Sequence, residues 1–147
     1  MIWLGLLAAL AVLFAGALVL RLRFVAVQVE GVSMEPTFHG GQWVLVRRTS
    51  VSRLRRGQVV VVALRPESEP PIEVGDPPWM IKRVAALPGD PVPRVEVPAL
   101  THVPEPTVPA DRLVLLGDNP AASHDSRRHG YFDADTLLGV VVRVLRR

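Results

Sequence analysis

Gln58-Val59-Val60-Val61-Val62-Ala63-Leu64 is the stretch that decides the fold. Branching at Cβ restricts the side-chain torsion and suits a pleated surface, so this run, set off by the turn signal Arg56-Gly57, predicts a strand. Similar short runs stand at Phe24 to Val29, Trp43 to Val46, Leu113 to Leu116 and Val140 to Leu145. Turn signals separate them at His39-Gly40-Gly41, Pro88-Gly89-Asp90 and Gly117-Asp118-Asn119. Twelve of the fourteen prolines lie between Pro66 and Pro109, and proline removes backbone donors, which excludes helix there. The segment Pro66 to Pro78 reads as an exposed loop. Pro91 to Pro109 reads as a second connection with one short strand around Arg94 to Val97. The pattern predicts a mainly β domain with no internal repeat and no helix of useful length beyond the N-terminal segment.

That segment is different in kind. Ile2 to Leu20 is a run of 19 uncharged residues ending at Arg21-Leu22-Arg23, just long enough to cross the hydrocarbon layer at about 1.5 Å per residue. A cleaved signal peptide is the competing reading, since Ala15-Gly16-Ala17 has the small-residue spacing of a cleavage site. The missing basic n-region and the apolar Leu18-Val19-Leu20 beyond that site favour a retained anchor. The expected organisation is therefore one transmembrane helix, 1–24, and one β domain, 25–147, large enough for a core without cross-links. Arg21 and Arg23 follow the helix, which on charge alone places the domain in the cytoplasm. There is no cysteine, which excludes disulfides, thiol catalysis and Cys-ligated metal. A net charge of +3 carried by dispersed arginines, with 5% aromatics, argues against nucleic acid as a partner and for proximity to anionic lipid.

Lysine occurs once, at Lys82, among sixteen arginines. Arginine cannot lose its proton in a protein, whereas a buried lysine can. Met80-Ile81-Lys82-Arg83-Val84 sets this amine in an apolar run, where desolvation lowers its pKa. Two further segments carry unusual polar residues. One is Val29-Glu30-Gly31-Val32-Ser33-Met34-Glu35-Pro36-Thr37, with a serine between a strand and a proline-fixed turn. The other is the polar loop Gly117-Asp118-Asn119-Pro120-Ala121-Ala122-Ser123-His124-Asp125-Ser126-Arg127. Taken singly, each has a plain structural reading: a turn serine, a strand whose Lys82 points to solvent, and a solvated loop with a weak Asp125–Arg127 ion pair.

Together and in this order they resemble the sequence boxes of type I signal peptidases, membrane-anchored serine proteases. The matches are S-M-x-P-T at Ser33 to Thr37, K-R-V-x-x-x-P-G-D at Lys82 to Asp90, and G-D-N-x-x-x-S-x-D-S-R at Gly117 to Arg127. The strand from Gln58 fits a fourth box, and the anchor lies where the family keeps one. The resemblance implies a curled antiparallel β catalytic domain outside the cytoplasm, against the vote of Arg21 and Arg23. It implies Ser33 as nucleophile and Lys82 as general base, with Ser123 hydrogen-bonded to the lysine amine. Asp125 and Arg127 would brace the loop, supported by Ser126. An unperturbed lysine is deprotonated less than about 0.1% of the time at pH 7, so burial must supply the shift.

Three departures stand out. Gly31 occupies a position where some members carry a serine whose hydroxyl serves the oxyanion hole, leaving the Ser33 N–H to act without it. Only Pro91 to Leu116 separates the last two boxes. Ala86 replaces a glycine common in its box, a change of packing. The resemblance further implies secreted preproteins and the bilayer as partners, a monomer, no metal and no cofactor. Trp43, Trp79 and Phe38 are candidates either for lipid contact or for core packing. A dedicated maturation protease for one precursor or pilin shares these catalytic residues, and an inactive membrane-anchored β scaffold that binds exported chains lacks a use for them. A Ser-His-Asp triad through His124-Asp125 is disfavoured because adjacent residues on extended chain point apart, and His39, His102 and His129 lack ligand spacing.

Overall fold

The computed structural model describes residues 2–63 and 79–146, with the side chains of 2, 4–6, 8 and 146 outside the description. The expected Pro66 to Pro78 loop lies outside the described residues, as does Leu64 at the end of the predicted third strand. Helix α1 (Ile2–Arg23) leads directly into strand β1 (Phe24–Gln28). The strands β2 (Trp43–Arg48), β3 (Val59–Ala63), β4 (Trp79–Ala86) and β5 (Arg112–Leu116) follow, then a single helical turn, α2 (Ser126–His129), and strands β6 (Phe132–Asp133) and β7 (Leu137–Arg146). All neighbouring strand pairs are antiparallel, in the order β1-β2-β7-β3-β4-β5-β6.

The sheet is curled into a half-barrel. Four strand spacings separate β1 from β4, about 19 Å on a flat sheet. Yet Ser33, five residues beyond β1, lies 3.0 Å from the Lys82 amine of β4. Register shifts along β7, between β3 and β7 and between β4 and β5 accompany the bending.

Side-chain alternation on β3 explains its four valines. Val59 and Val61 enter one buried cluster with Val29, Met34, Phe38, Val44, Val46 and Ile81. Val60 and Val62 enter a second with Val84, Leu113 and Leu115. Apolar side chains are therefore needed on both faces of this strand, and each buried valine contributes about 1.5 kcal/mol or more. A third cluster, Ala86, Val92, Val97, Leu100, Val108 and Val114, seats the 91–109 connection on the sheet.

The strand expected around Arg94 to Val97 is not formed. Flanking prolines favour a local turn, and the Val97 N–H bonds back to the Pro93 carbonyl at 3.0 Å. The Arg94 guanidinium then donates to the carbonyls of Val103 and Glu105, at 3.1 and 2.8 Å, and folds the connection on itself. Phe38 belongs to the core, Trp79 packs against the same cluster, and Trp43 is exposed. Among the described residues no helix is long and apolar enough to cross a membrane, and the side chains of α1 are described without a break from 9 to 23.

Candidate active site

The turn after β1 presents Ser33. Its first residue is tied to the strand system by Val29 N–H to Gln42 O at 2.8 Å and Gly41 N–H to Val29 O at 2.9 Å. Gly31 then takes φ +71°, a conformation that suits glycine. Met34, nearly fully buried, anchors the far side of the turn in the core. The Ser33 N–H donates to no group among the described residues, so it is available to an oxyanion beside its own hydroxyl.

Lys82 reaches this serine from β4. Its backbone pairs with Val60, and alternation gives it the strand face of Met80 and Val84. The residue is 3% exposed, and its Nζ lies 3.0 Å from Ser33 Oγ. Burial pushes the amine below the ordinary lysine pKa, while the Asp125 carboxylate pulls it upward; burial prevails. The solvent-facing alternative for Lys82 is thereby excluded.

The third segment forms the wall behind the pair. Asp125 is fully buried, and its carboxylate accepts from Gly117 N–H at 2.8 Å, Arg127 N–H at 3.0 Å and Arg127 Nη1 at 2.9 Å. Arg127 Nη2 donates to the Gly117 carbonyl at 3.2 Å, so both polar groups of Gly117 are held by one ion pair. Ser126 Oγ accepts from Leu115 N–H at 2.9 Å. These hydrogen bonds hold the loop together, and the ion pair is buried on the Asp125 side rather than solvated.

Ser123 departs from expectation. Its hydroxyl is buried and has no hydrogen-bond partner among the described residues, so the bond to Lys82 is not formed. Ser123 packs closely against Gly117: a Cβ there would stand 2.1 Å from Ser123 Oγ and 2.7 Å from the Ser33 carbonyl oxygen. His124 stacks on His129 with ring centroids 6.0 Å apart, while the Asp125 acceptors are occupied by Gly117 and Arg127. A His124–Asp125 relay is therefore absent.

A clamp not foreseen from sequence fixes the serine turn. Asn119 N–H donates to Ser33 O at 3.0 Å and Asn119 Nδ2 to Val32 O at 3.1 Å. Its neighbour Asp118 accepts from Thr37 Oγ1 at 2.5 Å and from Arg83 Nε and Nη2 at 2.8 and 2.5 Å. The Arg83 hydrogen bonds hold the Asp118 carboxyl below its ordinary pKa. Opposite charges in two separate sequence boxes were the available signal.

A cleft of about 200 Å³ runs over the pair, lined on one side by Gln28 and 30–33 and on the other by 79–82, with Ala122 and His124 completing it. The comparison with protein families decides what this arrangement belongs to: the model described as "Signal peptidase, peptidase S26" matches residues 1–97 and 93–145. The chain belongs to the signal peptidase family, S26. No curated protein sequence matches it significantly. Membership makes this a peptidase fold of signal-peptidase type, and the curled antiparallel sheet agrees with it.

Proposed function

We propose that the protein is a membrane-bound serine endopeptidase that removes N-terminal signal peptides from exported preproteins by a Ser33/Lys82 dyad. The observation that carries this reading is the buried amine 3.0 Å from an otherwise ordinary serine hydroxyl. Ser33 Oγ attacks the scissile carbonyl as neutral Lys82 takes its proton, and the oxyanion meets the Ser33 N–H. Lys82 then protonates the leaving amine. Water, deprotonated by the same amine, hydrolyses the acyl ester and restores Ser33. Gly31 contributes backbone shape and no hydroxyl, so the hole has one donor fewer than a serine there would give. No step calls on a metal or cofactor.

Two backbone edges left unpaired among the described residues support an extended substrate. Strand β1 lies at the edge of the sheet, and Trp79 to Lys82 pair on one side with β3 while β5 begins its pairing at Arg83. A peptide added between them alternates its side chains, directing the first and third residues before the cut toward the apolar side of the cleft, where Ile81 stands. Small residues fit such shallow pockets, so the enzyme cuts after them.

The apolar α1 serves as a single-pass anchor, with the β domain on the extracytoplasmic side. Its uncharged run of 19 residues and exposed Trp3, Leu7, Leu13 and Phe14 support lipid as its surroundings. The protein acts as a monomer. Purified protein in detergent, given a preprotein with Ala at the first and third positions before the cut, should release a mature chain of the expected mass, and Ser33→Ala should release none. Equal cleavage by Ser33→Ala would overturn the reading.

A further inference from the structure

The rim of the cleft differs chemically from its floor. Along the segment 28–30, Gln28 and Glu30 are exposed while Val29 is 3% exposed and belongs to the same buried cluster as the cleft-lining Ile81. Both Gln28 and Glu30 line the cleft, and Glu30 is the one acidic side chain among its described lining residues. Gln28 Nε2 makes a long contact to the Gly41 carbonyl at 3.5 Å. Among the described residues, the Glu30 carboxylate has no hydrogen bond or ion pair. Lys82, the cation nearest the reacting serine, is buried and directed at Ser33.

A substrate strand lying in this cleft alternates in the same way as the wall beside it. Its first and third side chains before the cut face the floor, and its second faces outward to the rim. We propose that Glu30 makes the cleft selective for a basic side chain at the second position before the scissile bond. This inference rests on the endopeptidase reading above and adds a charge preference where the two small-residue pockets impose none. His124, which also lines the cleft, is the other ionisable rim group and is the necessary control.

The experiment uses full-length protein in detergent and three preprotein-derived peptides that differ only in carrying Arg, Gln or Glu at the second position. A charge pair and a like-charge clash of ordinary surface strength together predict that kcat/KM for the Arg peptide exceeds that for the Glu peptide by about tenfold at low salt. Added salt should shrink the ratio. Glu30→Gln should bring the three peptides within about twofold of one another, and Glu30→Arg should reverse the order. Equal cleavage of the three by the native enzyme would overturn the inference, as would a preference that survives Glu30→Gln and disappears in His124→Gln. If the native enzyme cuts none of them, the endopeptidase reading itself fails and the inference with it.

Discussion

Two opposed influences act on the Lys82 amine: burial expels its proton and the Asp125 carboxylate attracts it. The bidentate attention of Arg127 to Asp125 and Gly117 weakens that attraction by neutralising the carboxylate. Arg127→Gln should therefore leave Asp125 freer to stabilise the protonated amine, raise the Lys82 pKa and move the acid limb of the pH–rate profile upward. An acid limb at the native position would show that Arg127 only braces the loop. Stability follows the same group. A lysine lowered in the folded state binds its proton more tightly when unfolded, so its burial penalty is full below the folded pKa and fades as pH rises toward 10.5. Lys82→Met should abolish cleavage and raise Tm at pH 7, with the gain shrinking as pH approaches 10.5; a lower Tm at pH 7 would contradict the burial argument. Some of this was legible in the sequence, because the solitary lysine sits among Met80, Ile81 and Val84. The Ser123 hydroxyl, unpartnered among the described residues, was not, because its contact with Gly117 is made by the folded loop and leaves no local sequence pattern.

At the scale of elements, the loop from β5 to α2 positions the serine turn. Gly117 is the point of closest approach, with space for hydrogen alone between Ser123 and the Ser33 carbonyl. Gly117→Ala must push one of these away, and misplacing a reacting group by about 1 Å can cost on the order of 10²-fold in rate. The expected result is a kcat loss of that size with the fold retained by circular dichroism; near-native kcat would show that the approach is unimportant. Strand β3 was readable because its valines are required on both faces. The Arg94 to Val97 error arose because Pro93 and Pro98 favour turns, which no count of apolar residues reveals. The Thr37–Asp118–Arg83 clamp joins residues 81 and 35 apart in sequence, so only the curl of the sheet discloses it.

At the scale of the whole molecule, α1 passes into β1 without a break, which under the proposed function would tie a membrane anchor to the edge strand that leads into the cleft. In liposomes the full-length protein should resist a carbonate wash. The double variant Leu13→Arg/Phe14→Asp places two charges near the centre of the helix, each costing about 2.5–3.5 kcal/mol in the bilayer, and should be released. Equal release of both would remove the anchor from the proposal. The chain as a whole also holds a single lysine, so selective ¹⁵N,¹³C-lysine labelling gives one Nζ–Cε correlation to follow by NMR. Titrating it in the native protein, beside the pH dependence of kcat/KM, tests the dyad most directly. The predicted result is a Lys82 pKa below 10.5 that coincides with the acid limb of activity; titration at or above 10.5, or an acid limb unrelated to that signal, would contradict a neutral lysine acting as the base for Ser33.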